Sequence, residues 1–191
     1  GFHLRLDRAS RALAGLQEAR IRDPLNPTVL AFLPEAYANA GRIREALDEQ
    51  EQGWKVAPSP LLAANALITA LAAGDVPRIR ERWERLREMQ QNPITLDLYE
   101  ARNDPAAQRA RVRLALENGE PVAASQLALW AALFGDPELA LEVLRRDTDM
   151  GRRSITVLAL WRPAMRDARR LPAFKQLLRD WGLVDYWKQH G

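Results

Sequence analysis

The residues able to do chemistry are few and scattered. Two histidines, His3 and His190, stand at opposite ends of the 191-residue chain, and neither is set beside a carboxylate at a metal-ligand spacing such as H-E-x-x-H. Ser10, Ser59, Ser125 and Ser154 have no histidine nearby in sequence and none lies in a G-x-S-x-G turn. No glycine-rich loop of the form G-x-x-x-x-G-K-[ST] is present, so nothing is built to cradle a phosphate. There are no cysteines, which excludes disulfides, thiolate metal sites and thiol nucleophiles. Carboxylates abound, but Glu45, Asp48, Glu49 and Glu51 are spaced along one outer helix face, where they stay solvated rather than shifting apart as acid and base. We therefore expect no enzyme, no cofactor and no metal.

The remaining side chains of chemical interest suit contact rather than catalysis. Trp54, Trp83, Trp130, Trp161, Trp181 and Trp187 each sit in an apolar helical pattern, which predicts core packing for most. The stretch RIRERWERLRE, Arg78 to Glu88, carries five arginines, with Glu81, Glu84 and Glu88 at helical pairing distance. It reads as a salt-bridged outer face, not a nucleic-acid stripe.

Composition bounds the elements that must position these groups. Apolar residues make up 47% and charged residues 28%, which is globular composition. Net charge is +3, distributed unevenly: residues 145–191 hold 11 Arg and Lys against 5 Asp, a local +6 that leaves −3 for the rest. No apolar run is long enough to cross a membrane, and no signal peptide is read in residues 1–25. The sequence lacks an initiator Met and opens inside a predicted helix, so it is read as a fragment of a longer protein.

Strand patterns are nearly absent, while Ala, Leu, Arg, Glu and Gln dominate. Cutting at Gly and Pro predicts helices over 4–22, 26–40, 42–56, 60–73, 76–91, 94–103, 105–118, 121–134, 136–147, 152–160, 171–181 and 183–189. Short gaps between them force antiparallel neighbours. A period near 34 runs through the markers: Pro24 to Pro58, Ala12 to Ala46 and Ala19 to Gly53 are each 34 apart, and Gly41 to Gly74 is 33. Such a unit needs a large residue between two helices (Tyr37), a left-handed turn (Gly41), a small residue at the crossing (Ala46) and a stop (Pro58).

Residues 27–58 thereby resemble the tetratricopeptide repeat, through Leu33, Tyr37, Gly41, Ala46 and Pro58, with departures at Leu30, Pro34 and Gln50. Residues 60–93 match at Leu67, Leu71, Gly74 and Pro93, with Arg80 near a position that favours a small residue; residues 121–148 match at Gly135 and Ala140. The resemblance implies an all-α solenoid of stacked antiparallel hairpins: a half repeat at 1–24, hairpins at 26–58, 60–93, 94–118 and 121–148, and a capping segment at 152–191. In that segment Leu171, Phe174, Leu177, Leu178 and Trp181 share a helix face and Gly182 ends it. Trp161, Pro163, Arg169, Pro172, Phe174, Leu177, Leu178, Gly182, Leu183, Tyr186 and Trp187 are similar to the tails of bacterial signalling proteins, winged-helix regulators and nucleotide cyclases, that end in such repeats.

The resemblance also implies where a partner would sit. The first helix of each hairpin lines the concave side, which places Thr28, Ala31, Glu35, Ala38 and Asn39, then Leu62, Asn65, Thr69 and Ala73, then Tyr99 and Arg102, then Ser125 and Gln126 on the inner wall. Small residues at these positions also serve close helix packing. The implied function is non-catalytic: a protein–protein interaction module of a larger bacterial signalling protein that takes a peptide or protein in its groove, with neither direct nucleic-acid binding nor membrane insertion. The alternative is a self-associating module, a homodimer that positions an attached effector domain. A membrane-anchored winged-helix parent would place the domain in the periplasm and a cyclase-type parent in the cytoplasm.

Overall fold

The computed structural model describes residues 2–89, 93–120, 122–146, 157 and 159–190, and the side chains of 2–11, 60, 61, 93–96 and 190 lie outside this description. The described residues are all helical or turn, without a strand, and the helices pack in consecutive pairs. The chain divides into two units, residues 1–92 and 93–191. The helix expected over 152–160 falls largely outside the described residues, as does Ser154.

The first unit holds α1 (Phe2–Arg22), α2 (Pro27–Asn39), α3 (Ile43–Val56), α4 (Pro60–Ala73) and α5 (Val76–Met89), each packed on the next. Punctuation explains the boundaries. Pro27 and Pro60 occupy first helical positions, where a missing N–H costs nothing. Asn26 and Ser59 cap the same helices, Asn26 Oδ1 accepting from the backbone N–H of Thr28 at 3.0 Å and Ser59 Oγ from Leu62 at 3.3 Å. Leu13, Val29, Leu33, Tyr37, Ala38 and Ala46 form a buried cluster between α1, α2 and α3. Burying each large member contributes about 2 kcal/mol, well above any single surface ion pair.

Gly53 lies at the α2–α3 crossing, where a methyl group would make ordinary contacts. Pro34, buried inside α2, has no N–H for the Leu30 carbonyl one turn back. That carbonyl faces α3, where a Cβ at position 53 would stand 3.8 Å from Leu30 O and 3.4 Å from Leu62 Cδ2.

The second unit holds α6 (Pro93–Glu100), α7 (Pro105–Glu117), α8 (Ala124–Leu133), α9 (Pro137–Arg146), α10 (Pro172–Asp180) and α11 (Leu183–His190), with 3₁₀ turns at Ala101–Asn103, Pro163–Arg166 and Ala168–Arg170. Its core gathers Trp130, Leu141, Leu144, Leu160, Met165 and Leu177. As the periodicity predicts, Phe174, Leu177 and Leu178 are buried; α10 packs against α9, and Gly182 at φ 70° ends the α10 segment. The turns at Pro163–Arg166 and Ala168–Arg170 lie outside the predicted helices: Pro163 opens the first of these two, and Arg169 pins the segment by donating from Nη1 to the carbonyls of Leu160 and Arg162, both at 2.9 Å.

Candidate functional site

Three turns share one chemistry. At Gly41 (φ 76°) the glycine N–H donates to Ala38 O at 3.0 Å and the next N–H, of Arg42, donates to Tyr37 O at 2.9 Å. Gly74 (φ 66°) repeats this with Leu71 O at 3.1 Å and, through Asp75, Ala70 O at 3.1 Å. Gly135 (φ 87°) repeats it again with Ala132 O at 3.2 Å and, through Asp136, Ala131 O at 2.9 Å. A left-handed residue followed by a bond back to the last helical turn satisfies the orphan carbonyls of the first helix. Asp75 and Asp136 then cap the second helix, accepting from the N–H of Arg78 at 3.1 Å and of Leu139 at 2.9 Å. Residue spacing anticipates this device, although the Gly-Asp pairing in two of the turns is a regularity that the sequence reading missed.

The turns also correct the register. Gly41 to Gly74 is 33 residues, so the counterpart of buried Ala46 is Ile79 and not Arg80, which is exposed. Gly41 to Gly135 carries Ala46 onto Ala140, and both are fully buried.

The acidic face of α3 is not simply solvated. Glu49 reaches back to Arg20 of α1 at 3.2 Å, Asp48 meets Arg78 of α5 at 3.4 Å, and Glu51 meets Arg82 at 2.8 Å and Arg85 at 2.9 Å. The expected pairs within α5, Arg85 with Glu81 and Arg87 with Glu84, are also present. Yet Arg82 has a side chain only 3% exposed, so α5 is more than an outer face. These ion pairs link α1 to α3 and α3 to α5. Arg85 also lies over the Trp54 ring, 5.0 Å from its centroid. Among the tryptophans Trp130 is fully buried and stacks on Phe134 at 5.3 Å, while Trp54, Trp83, Trp161, Trp181 and Trp187 are half-buried.

The expected wall residues in the first unit divide into two groups. Thr28 is exposed at the start of α2; Glu35 and Asn39 are half-buried one turn apart on the same helix, and Asn65 is half-buried on α4. Thr69 is 3% exposed and is committed internally: it accepts from Gln50 Nε2 at 3.1 Å and donates to Asn65 O at 2.9 Å. Its hydroxyl is therefore a packing element between α3 and α4 and offers nothing to a ligand. In the second unit Tyr99 is buried, Arg102 is exposed, and Ser125 and Gln126 are half-buried on α8.

The second unit also contains a small cavity of about 30 Å³ between α7 and the α8–α9 turn, walled by apolar Val112, Trp130, Phe134 and Leu139, with the Arg109–Asp136 ion pair at 2.6 Å among its lining residues. It is partly open to solvent and large enough to hold a water molecule. Among the described residues no three His, Asp or Glu side chains gather as a metal site. Arg162 is buried, and desolvation pushes its guanidinium down to about 10.

In comparisons with known proteins, no family model matches this chain and no curated protein matches it.

Proposed function

We propose that this chain is a non-catalytic interaction module built of tetratricopeptide-like hairpins stacked as a solenoid. It binds a peptide or protein along the first helices of its hairpins. The observation that carries the reading is the repeated turn: Gly41, Gly74 and Gly135 share one conformation and one pair of backbone hydrogen bonds. Identical turns give near-identical hairpins, and hairpins of one shape stack by translation. The ion-pair ladder from α1 through α3 to α5 supports the same arrangement within the first unit. On this reading Thr28, Glu35, Asn39 and Asn65 offer a hydroxyl, a carboxylate and amides to an extended or helical segment of the partner.

Self-association is the second reading. Ile21 is 81% exposed and Leu25 65% exposed at the α1–α2 connection, an apolar pair that a second copy could cover.

The test is a cross-linked pull-down from extract of the source organism, using the whole chain as bait and the Glu35→Ala, Asn39→Ala, Asn65→Ala triple variant as control. A stoichiometric partner that is lost with the triple variant, while the variant keeps its helical circular dichroism, supports the groove. Recovery of the same proteins by both baits overturns the groove, and recovery by both of copies of this chain alone overturns it in favour of self-association.

A further inference from the structure

The cations of the second unit gather toward the end of the chain. Arg145, in the last turn of α9, donates from Nη2 to the carbonyl of Ala173 in the first turn of α10 at 3.1 Å. The 3₁₀ turn Ala168–Arg170 packs on both α9 and α10, so three elements that carry basic residues meet there. Arg166 and Arg170 share one carboxylate oxygen, Asp167 Oδ1, each at 3.2 Å. Arg145, Lys175 and Arg179 are exposed, and among the described residues no carboxylate lies within ion-pair distance of them. Asp180, next to Arg179, accepts instead from Gln176 Nε2 at 2.7 Å. Because α10 buries Phe174, Leu177 and Leu178, Lys175 and Arg179, one turn apart, share its outer face.

A surface field of one sign attracts a polyanion. The aromatic residues beside it narrow the choice. α11 packs on α10, with the Trp187 ring 6.2 Å from that of Trp161, which in turn meets Phe174 edge-on at 6.2 Å. A single-stranded nucleic acid needs open ring faces on which bases stack, and these rings are packed on one another. Trp181 and Trp187 are instead half-buried and Tyr186 is 54% exposed, each an apolar body with a polar edge. Such rings beside exposed cations suit the headgroup layer of a lipid bilayer. No described helix is long and apolar enough to cross a membrane, so the contact is adsorption. We propose that the α10–α11 end of the second unit binds the surface of an anionic lipid bilayer, with Lys175 and Arg179 facing the headgroups. This surface stands apart from the first-helix groove, and the inference does not depend on that reading.

The experiment sediments the whole chain with vesicles of phosphatidylcholine alone, and of phosphatidylcholine and phosphatidylglycerol in a two-to-one mixture, at low and physiological salt. Wild type is expected to bind only the mixed vesicles, and more weakly as salt rises. Each basic residue at an anionic surface strengthens binding about fivefold, so the Lys175→Gln, Arg179→Gln double variant is expected to bind about thirtyfold more weakly. The Arg44→Gln, Arg80→Gln double variant removes the same charge from exposed positions of the first unit and is expected to match wild type at physiological salt. Absence of binding to the mixed vesicles, equal binding by the Lys175, Arg179 variant, or equal loss in both double variants overturns the inference. Polyglutamate and an oligodeoxynucleotide are measured in parallel at equal concentration of charge. If either binds wild type more tightly than the mixed vesicles and loses that affinity in the Lys175, Arg179 variant, the lipid assignment is overturned in favour of an acidic protein or a nucleic acid.

Discussion

Glu51 on α3 and Arg85 on α5 lie 34 residues apart in the chain and 2.9 Å apart in space. The pair joins the second helix of the packed pair α2–α3 to the second helix of the packed pair α4–α5. Glu51 also meets Arg82, the buried member of the group, at 2.8 Å. Replacing Glu51 with Gln removes a carboxylate that Arg82 and Arg85 share and leaves Glu81 as their remaining partner, with Arg82 buried. We expect a loss of about 2 kcal/mol in urea unfolding, against under about 0.5 kcal/mol for Asp48→Asn at the exposed end of the ladder.

The same pair predicts an acid limb. The hydrogen bond from Arg85 holds the Glu51 carboxyl below the ordinary glutamate value, and the charges of Arg82 and Arg85 add to this against desolvation. A group whose folded pKa is depressed contributes fully above its unfolded value, near 4.5, and loses that contribution as pH falls through the folded value. Wild type and Glu51→Gln should therefore differ most near neutrality and converge in acid. A gap of constant size down through the acid limb would assign the effect to packing instead of charge.

Two glycines should respond in opposite senses to alanine. Gly41 sits at φ 76°, where a Cβ is strained whatever the space around it, and Gly41→Ala should cost about 1 kcal/mol. Gly53 is inside α3, and its new Cβ would meet the end of the Leu62 side chain at 3.4 Å, a contact a small rotation relieves. Helix propensity then favours Gly53→Ala by up to about 1 kcal/mol. Thermal melts of the two variants should bracket wild type, and a large loss from Gly53→Ala would show that the α2–α3 approach has no slack.

The Gln50–Thr69 bond makes a third test. Gln50 is 2% exposed, and its Oε1 has no hydrogen-bond partner among the described residues, while its Nε2 donates to Thr69. Gln50→Leu removes the unsatisfied oxygen and leaves Thr69 still bonded to Asn65 O, so stability should hold within about 1 kcal/mol or rise. Thr69→Val leaves the Gln50 amide buried and unpaired and should cost about 1–2 kcal/mol. Equal losses from both changes would mean that the bond itself, and not the stranded group, carries the energy.

The turns were readable because a left-handed backbone has few chemical solutions. Gly41, Gly74, Gly135 and Gly182 were each placed by residue type, and the structure gives each a positive φ. The buried face of α10 was readable for a related reason: apolar residues at helical spacing leave one way to pack. Arg82 and Thr69 were not readable. An arginine within an Arg-Glu stretch looks the same whether it is exposed or enclosed, and burial depends on which helix lies opposite. For Arg82 that helix is α3, whose Glu51 supplies the compensating charge. For Thr69 it is again α3, whose Gln50 takes the hydroxyl.

Among the described residues, the sequence by itself determined the helices, their glycine and proline boundaries and the pairing of neighbours, because these follow from backbone conformations and periodicities that act over a few residues. Only the tertiary structure decided which polar groups face one another across helices: Glu51 with Arg82 and Arg85, and Gln50 with Thr69. Those pairings depend on the rotation of each helix about its axis, and that rotation is set by the fit of side chains from several elements at once.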